Sequence, residues 1–379
     1  MVSQRAHRTT SFIAMDVLER ANERDDVVHL EVGEPDFEPP EAVFDTAVDS
    51  LRSHNTTYTT ARGKEALRLA IAAHYDREYG VSVDPDRIFV TPGSSPGLLL
   101  SFAATVDPGE TVLLTDPGYA CYPNFVRTVD GRVRTVPLSA DRGFQPRLGD
   151  FREAMDDDVA ALLLNSPANP TGAVLDGQTL RDLAGLAATH DAMVVSDEIY
   201  HGLSYDTAEH TVLEYTDEAF VLNGFSKRFG MTGWRLGWVV VPPSHVEAFN
   251  RLAQNVLICA PNFLQDAGVT ALETDAELDA VRASYRDRRD RLLEAVERWG
   301  LDLGYTPEGA YYLLADVSEF SGDSVDFANR LLDEAGVAVT PGIDFGDRAA
   351  TYVRLSYATD ADRIEAAIDR IDEFLETRD

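Results

Sequence analysis

The sequence predicts an α/β fold with a mostly parallel central sheet, helices on both faces of that sheet, and a smaller α/β domain. One observation is that short apolar runs typical of buried strands alternate with helical patterns between about residues 41 and 275. Another is that 379 residues with 44% hydrophobic content are enough to bury more than one core. We therefore predict a large domain formed by residues 41–275 and a small domain formed by residues 1–40 and 276–379.

The N-terminal part predicts a helix, a strand and then an irregular segment. Apolar residues at helical spacing predict an amphipathic helix over 11–24, and the apolar run at 27–32 predicts a strand. The next segment, Gly-Glu-Pro-Asp-Phe-Glu-Pro-Pro at 33–40, is not expected to be regular, because proline fixes φ and lacks an amide donor. On residue chemistry alone it is a connection between domains, and Tyr58, further on, is a loop tyrosine.

Polar turns of the predicted large domain directly follow apolar strands. The run 88–90 leads into Thr-Pro-Gly-Ser-Ser-Pro-Gly and then a helix. A strand followed by small residues and a helix start directs backbone N–H groups at an anion, which makes Gly93, Ser94 and Ser95 candidate phosphate ligands. Because ligands bind at the carboxyl ends of parallel strands, we expect the later strand ends to contribute as well. The polar residues that follow those ends are Tyr119, Asn169, Asp197 and Tyr200.

The C-terminal part, beyond a strand at 238–241, predicts long helices between about 245 and 299 and then renewed alternation of strands and helices. In the last strand, 352–357, alternation places Arg354 on the same face as Tyr352 and Ser356. An arginine at such a position usually faces solvent.

The turn at 223–237 carries the most informative pair of residues. The chain has 33 basic residues, and only Lys64 and Lys227 are lysines. Lys64 stands at the polar start of a helix, whereas Lys227 lies in a Gly/Ser turn eight residues before Arg235. A buried lysine amine can form a Schiff base with an aldehyde, and an arginine fork suits a phosphate dianion. An aldehyde and a phosphate on one small molecule describe pyridoxal phosphate.

The motif Ser-Lys-x-Phe-x-Met-Thr-Gly-Trp-Arg-x-Gly, residues 226–237, resembles the lysine motif of the class I/II aminotransferases. These are pyridoxal 5'-phosphate (PLP) enzymes of fold type I, and further matches extend from Gly33 to Arg354. The resemblance implies that Lys227 is the catalytic Schiff-base lysine, that Asp197 pairs with the pyridine nitrogen, and that Tyr200 acts beside them. It implies a wider set of cofactor-binding residues, namely Gly93, Ser94, Ser95, Tyr119, Asn169, Asp197, Tyr200, Ser226, Lys227, Arg235 and Tyr58.

For the substrate, the resemblance implies binding by Gly33, Asn169 and Arg354, with Arg354 holding the α-carboxylate. It also implies a homodimer with shared active sites, because Tyr58 of one subunit would reach the cofactor phosphate of the other. The expected reaction moves an amino group from an L-amino acid to a 2-oxo acid such as 2-oxoglutarate. A carbon–sulfur β-lyase of the same fold and an aspartate aminotransferase remain alternatives. A non-enzymatic regulator that senses the cofactor is disfavoured. Such a regulator needs an attached DNA-binding module, and the chain has neither the spare length nor the basic charge for one.

Two features predict a neutral or aromatic donor. In one subgroup of these enzymes, a lysine in the loop after the phosphate-binding strand helps to hold dicarboxylic substrates, and this chain has Ser95 there. The N-terminal segment, which covers the substrate in that subgroup, supplies Phe12 and Ile13. A side-chain carboxylate would then be unpaired in the pocket. Arg62 or Arg127 could still enter the pocket from a loop.

The composition excludes several partners. A formal net charge of −32 disfavours nucleic acid and anionic membranes, and it indicates adaptation to a salty cytoplasm. The sequence shows no leader pattern and no apolar run of about 20 residues, so neither secretion nor membrane spanning is expected. Two cysteines suit a reducing cytosol, and eight scattered histidines without paired motifs predict no metal site.

Overall fold

The computed structural model describes residues 2–301 and 303–376. Within this part of the chain the strands form three sheets, of two, three and seven strands. In chain order, the strands are β1 (Val28–His29), β2 (Ile88–Thr91), β3 (Thr111–Asp116), β4 (Arg132–Pro137), β5 (Val159–Asn165), β6 (Met193–Asp197), β7 (Ala219–Gly224), β8 (Gly237–Val240), β9 (Tyr312–Asp316), β10 (Val337–Ala338), β11 (Thr340–Pro341) and β12 (Tyr352–Ser356).

The α-helices alternate with these strands through most of the chain. None of the described helices has both the length and the apolar character needed to cross a membrane. In chain order, the helices are α1 (Gln4–Arg8), α2 (Ile13–Asn22), α3 (Glu41–Arg52), α4 (Glu65–Tyr79), α5 (Ser94–Thr105), α6 (Tyr122–Thr128), α7 (Leu148–Ala154), α8 (Gly177–Thr189), α9 (Val246–Val256), α10 (Asn262–Glu273), α11 (Asp275–Arg298), α12 (Ser324–Arg330) and α13 (Ala361–Glu376).

The seven-stranded sheet has the order β2-β8-β7-β6-β5-β3-β4. Pairings among β7, β6, β5, β3 and β4 are parallel, whereas β8 runs antiparallel to both of its neighbours. The predicted, mostly parallel sheet is therefore confirmed. The antiparallel strand follows from the short Lys227 turn, which returns the chain directly beside β7 without a crossover helix.

Both faces of this sheet are buried, as the side chains of β5 show. Leu162 and Leu164 belong to the apolar core that includes α3, α4, α8 and α10, whereas Ala161 and Leu163 belong to the core that includes α5, α6 and α9. Successive side chains of a strand point to opposite faces, so helices cover both sides of the sheet. The burial explains why these strands read as continuous apolar runs in the sequence.

The three-stranded antiparallel sheet, β11-β12-β9, belongs to a separate apolar core with parts of α11, α12 and α13. The pair β1-β10 joins the N-terminal segment to this part of the structure. The division into residues 41–275 and the two flanking segments stays a prediction.

Some predicted bounds differ from the observed ones. The strand expected over 27–32 covers only Val28–His29, and Glu31, Val32 and Gly33 beyond it line a cavity. The helical pattern from 245 to 299 is divided among α9, α10 and α11. The usual solvent-facing position of a strand arginine does not apply to Arg354, which is 3% exposed.

Candidate active site

A cavity of about 270 Å³ lies at the carboxyl ends of the parallel strands, at the position expected for ligands in such sheets. Most of the predicted site residues line it. They are Gly33, Ser94, Ser95, Tyr119, Asn169, Asp197, Tyr200, Ser226, Lys227, Arg235 and Arg354.

Lys227 projects into this cavity from the turn that joins β7 to β8. Its Nζ donates a hydrogen bond to the backbone carbonyl of Gly33 at 2.6 Å. Burial, reinforced by the positive charge of Arg354, lowers the pKa of Lys227 to about 8. The other lysine, Lys64, lies elsewhere and donates to both carboxylate oxygens of Asp266 at 2.7 Å. Lys227 is therefore the lysine with the environment of a nucleophilic amine.

Asp197 ends β6 with its carboxylate buried in the cavity wall, 7% exposed. Its Oδ2 accepts from the Tyr122 hydroxyl at 2.8 Å, and its Oδ1 accepts from the Ile199 amide at 3.2 Å. Burial raises the pKa of Asp197 to about 6, and these two hydrogen bonds offset part of that rise. The site thus holds a carboxyl that needs a cationic or N–H partner.

The anion-binding end of the cavity forms where α5 begins. Gly93 has φ +90°, and a Cβ at this residue would lie 2.7 Å from Nη2 of Arg235. Only glycine therefore allows the guanidinium to approach the start of the helix this closely. Because Gly93 has no side chain to cap α5, the first amides of the helix are left for an anion. The Arg235 side chain is oriented by its hydrogen bond from Nη1 to the Thr232 carbonyl at 2.9 Å.

Arg354 faces the cavity from β12 rather than facing solvent. Its Nη1 donates to Oδ1 of Asn169 at 3.0 Å, and its Nη2 donates to Oγ1 of Thr340 at 3.2 Å and to the Glu31 carbonyl. Its Nε is buried and has no hydrogen-bond partner among the described residues. A buried guanidinium with an unpaired donor, lining a cavity, is suited to a carboxylate ligand.

Gly33 lies against Tyr312, the first residue of β9, and against Tyr311, which directly precedes that strand. A Cβ at Gly33 would lie 1.7 Å from the Tyr312 hydroxyl, so no larger residue fits here without displacing that ring. The Tyr311 hydroxyl donates to the Gly33 carbonyl at 3.0 Å, and the hydroxyls of Tyr312 and Tyr200 are 2.8 Å apart. These contacts place the Gly33 backbone between the small sheet and Lys227.

Comparison with known proteins agrees with this geometry. Residues 25–371 match the family model of aminotransferase class I and II. The chain belongs to this family. A valine–pyruvate aminotransferase of Mycobacterium tuberculosis is 40% identical over 373 residues, which cover 96% of each chain. An aspartate/prephenate aminotransferase of Thermus thermophilus is 39% identical over 350 residues, 91% of this chain and 90% of the relative. The crystal structure of an aminotransferase from M. tuberculosis superposes with a TM-score of 0.95 at 38% identity, covering 100% of both chains.

This aminotransferase therefore has the fold-type I architecture and is a PLP-dependent enzyme. The residues present fit that cofactor. The Gly93–Arg235 approach forms a cradle that a Cβ would fill, and buried Asp197 supplies a carboxylate for a pyridinium N–H. Lys227 supplies an amine whose lowered pKa increases the neutral fraction.

The structure also reveals residues of this aminotransferase that sequence reasoning missed. They are three tyrosines, each of which makes a hydrogen bond to a predicted site residue: Tyr122 to Asp197, Tyr311 to Gly33, and Tyr312 to Tyr200. Tyr122 stands three residues after Tyr119, so the same turn pointed to it. Tyr312 carries no such signal, because it is an aromatic residue within an apolar strand.

Several sequence candidates lie outside the cavity lining. Tyr58 is 80% exposed on a loop. Arg62 pairs with Asp86 at 3.4 Å, and Arg127 donates to Asn124 at 3.0 Å. Phe12 lines the cavity, whereas Ile13 packs on the core between α2 and β10.

Proposed function

We propose that this aminotransferase takes a neutral or aromatic L-amino acid as its amino donor. The observation that carries the proposal is the distribution of charge in the cavity. Among the described residues that line it, the positive side chains are Lys227, Arg235 and Arg354. Binding of the cofactor phosphate by Arg235, binding of the α-carboxylate by Arg354 and proton transfer by Lys227 would occupy all three, which leaves no cation for a side-chain carboxylate.

The first roles concern the cofactor. Arg235, the amides at the start of α5 and the hydroxyls of Ser94, Ser95 and Ser226 would hold its phosphate. Asp197 would hold the ring nitrogen as a pyridinium, while Tyr119 would stack on the ring. The bound cofactor supplies an electron sink for the pair released when the donor loses its Cα proton.

Asn169 and Tyr200 would bind the phenolic oxygen of the cofactor. A guanidinium only donates hydrogen bonds, so the contact with Arg354 identifies the Asn169 atom at 3.0 Å as the oxygen. The amide N–H₂ of Asn169 then remains to donate to the cofactor. The Tyr200 hydroxyl, 2.8 Å from that of Tyr312, is held in position for the same purpose.

Lys227 would carry the proton of the reaction. When the donor amine has displaced it, its Nζ could take the proton from Cα as a general base and then, as a general acid, deliver it to the carbon that was the aldehyde carbon of the cofactor. A pKa near 8 suits both directions at neutral pH. The Gly33 carbonyl, which accepts from Nζ at 2.6 Å, holds the amine beside the substrate position.

Arg354 would bind the α-carboxylate of the amino acid, with the backbone of Gly33 beside it. The buried and unpaired Nε supports this role, because a carboxylate would supply the missing acceptor. The stack of the guanidinium on the Tyr312 ring, 4.3 Å from its centroid, fixes the fork in one plane.

The cavity wall that remains for the donor side chain is largely apolar. Phe12, Met15, Leu98, Phe125 and Ile199 line it. Glu31 adds a carboxyl group to the same cavity rather than a cation. A substrate carboxylate buried here without a partner costs several kcal/mol, so aspartate and glutamate are disfavoured relative to apolar donors.

The set of positive side chains in the cavity also affects the choice of acceptor. 2-Oxoglutarate is the acceptor expected from the sequence, yet no cation would be left to pair with its second carboxylate. A monocarboxylic 2-oxo acid such as pyruvate is favoured by the charge inventory, and valine–pyruvate activity is named for a relative 40% identical to this chain. An acceptor panel should therefore include both.

The donor class is tested by measuring kcat/KM for a panel of amino acids with the purified holoenzyme in high salt. Alanine, valine, leucine, phenylalanine and aspartate form the panel, each with 2-oxoglutarate as acceptor and, except for alanine, also with pyruvate. The proposal predicts that an apolar or aromatic donor exceeds aspartate at least tenfold, about 1.4 kcal/mol in activation free energy. A tenfold preference for aspartate would refute it.

A two-fold homodimer with shared active sites is proposed from an exposed apolar surface. Phe44, Val48 and Leu51 of α3 are more than a third exposed, as are Tyr58 and Ile258. Asn262 of α10 donates to the carbonyl of Thr57 at 2.9 Å, so the Tyr58 loop lies beside the segment that carries Ile258. Burial of this surface against a second copy would bring Tyr58 to a partner's cavity.

The assembly can be tested by sedimentation together with activity at low concentration. A dimer is expected. The substitution Tyr58→Phe should weaken cofactor binding, and the variant should remain a dimer. A monomer with full activity at nanomolar concentration would contradict the proposal.

A salty, reducing cytoplasm is proposed as the location of the protein. The proposal is based on the net charge of −32 and on Cys121 and Cys259, which are both free thiols.

A further inference from the structure

The N-terminus of α2 is capped by a carboxylate from the far end of the chain. The residue before the helix is Phe12, whose phenyl group cannot accept a hydrogen bond. Instead, Oδ1 of Asp344 accepts from the Ile13 amide and Oδ2 accepts from the Ala14 amide, both at 3.1 Å. A carboxylate at a helix N-terminus satisfies orphan amides and interacts favourably with the helix dipole.

The turn that carries Asp344, Gly342–Phe345, also contacts two parts of the catalytic site. The Phe345 ring lies 5.0 Å from the guanidinium carbon of Arg354. The Phe345 carbonyl accepts from the amide of Gly118 at 2.9 Å, next to Tyr119. Asp344 therefore ties α2 to a turn whose position is fixed relative to the site of the reaction.

The start of α2 forms one wall of the cavity. Phe12, Ala14 and Met15 line it, and the Phe12 ring meets the Tyr119 ring edge-on with centroids 5.9 Å apart. These residues flank or include the two amides that Asp344 holds. A shift in the first turn of α2 would therefore move the apolar wall that faces the donor side chain.

We propose that Asp344 is a positioning residue for donor specificity, because it fixes the first turn of α2 and thereby the apolar wall of the substrate cavity. The inference rests on the proposed function, in which the donor side chain is apolar. A large apolar donor uses this wall extensively, whereas the methyl group of alanine reaches it least. Loss of the cap should therefore affect large donors selectively.

A matched control exists at the other end of the same helix. Asp333, which lies outside α2, pairs with Arg20 in the C-terminal half of α2 and with Arg24 just beyond its end, and the Asp333 side chain is 50% exposed. Replacing Asp333 removes a carboxylate that contacts the C-terminal end of α2, and it does not touch the amides of Ile13 and Ala14. An exposed ion pair of this kind contributes little to stability, so Asp333→Ala should behave as the parent protein does.

The experiment compares Asp344→Ala, Asp344→Asn and Asp333→Ala as PLP-loaded enzymes. For Asp344→Ala we expect kcat/KM for leucine or phenylalanine to fall about tenfold, mainly through KM, whereas alanine changes less than about threefold. Asp344→Asn retains one acceptor oxygen, so its kcat/KM for the large donors should lie between the values of the parent enzyme and of Asp344→Ala. Hydrogen exchange at the Ile13 and Ala14 amides should accelerate at least about tenfold in Asp344→Ala and stay unchanged in Asp333→Ala.

Unchanged exchange at Ile13 and Ala14 in Asp344→Ala would overturn the positioning role, whatever the donor preference. Equal losses for alanine and leucine would overturn the specificity role, as would the same effect in Asp333→Ala. If Asp344→Ala does not fold, Asp344→Asn gives the same comparison through its single remaining acceptor. A parent enzyme that prefers aspartate would refute the proposed donor class while leaving the exchange measurement to decide the cap.

Discussion

Tyr122 donates its phenolic hydrogen to Oδ2 of Asp197 over 2.8 Å, with both side chains buried. The residues are 75 positions apart in the chain, and α6 and β6 bring them together. The hydrogen bond favours the ionised carboxylate and opposes the effect of burial, which raises the pKa of Asp197. Tyr122 therefore helps to keep Asp197 charged at neutral pH, as its proposed pairing with a pyridinium requires.

The substitution Tyr122→Phe should raise the pKa of Asp197 above its value of about 6. In the parent protein, PLP affinity should fall as the pH drops through that pKa, because a protonated carboxyl cannot pair with a pyridinium. In the variant the midpoint should move to higher pH, and affinity at pH 7 should fall by about tenfold. Titration of the cofactor-free protein with PLP between pH 5 and 9 measures both.

Tyr75→Phe is the matched control, since Tyr75 is buried and its hydroxyl accepts from Trp238 at 3.2 Å. This variant should lose some stability and keep the parent midpoint for PLP binding. A midpoint that is the same in Tyr122→Phe and the parent would contradict the role of Tyr122.

The lowered pKa of Lys227 predicts how covalent loading of PLP depends on pH. Only the neutral amine attacks an aldehyde, and with a pKa of about 8 its neutral fraction rises about tenfold between pH 7 and 9 and then levels. A lysine at its ordinary pKa would instead gain about a hundredfold over this range without levelling. The initial rate of PLP incorporation into cofactor-free protein distinguishes the two curves, and the second curve would contradict the burial argument.

Arg354→Lys should reduce kcat/KM for every amino donor by about 100-fold or more, mainly through KM. A lysine ammonium cannot donate simultaneously to Asn169, Thr340 and the Glu31 carbonyl while offering a further donor to the substrate. Arg127→Lys is the control, because Arg127 lies outside the cavity lining and should be nearly silent. Equal effects of the two substitutions on KM would argue against Arg354 as the carboxylate ligand.

How far the sequence predicts this site depends on the range of the interactions involved. Lys227 could be identified because lysine is nearly absent elsewhere, whereas Asp197, a carboxylate directly after a buried run, was assigned its role through the resemblance to the aminotransferase motifs. Both signals are local. The parallel sheet was predicted equally well, because buried strands on both faces leave continuous apolar runs.

The missed contacts are those between distant parts of the chain. The cap that Asp344 provides for α2 spans 331 positions, and the residue next to the helix, Phe12, gives no capping signal. Alternation in β12 placed Arg354 on a face with Tyr352 and Ser356 but could not show that this face is buried at Arg354. Burial of a strand face depends on which elements cover it, and that is a tertiary property.

The net charge of −32 predicts that salt stabilises the protein. At about 0.01 M salt the Debye length is roughly 30 Å and like charges repel across much of the molecule, whereas at 1 M it is about 3 Å. The midpoint of thermal unfolding should therefore rise with potassium chloride concentration. A flat or falling midpoint between 0.01 and 1 M would count against adaptation to a salty cytoplasm.

The central claim, that Lys227 holds the cofactor in the cavity faced by Asp197 and Arg354, is tested most directly by locating the covalent bond. The holoenzyme is reduced with borohydride, digested and mapped by mass spectrometry, with Lys227→Ala and Lys64→Ala treated in parallel. We expect the pyridoxyl group on Lys227 in the parent and in Lys64→Ala, and none in Lys227→Ala. A pyridoxyl group on Lys64, or its persistence in Lys227→Ala, would contradict the assignment.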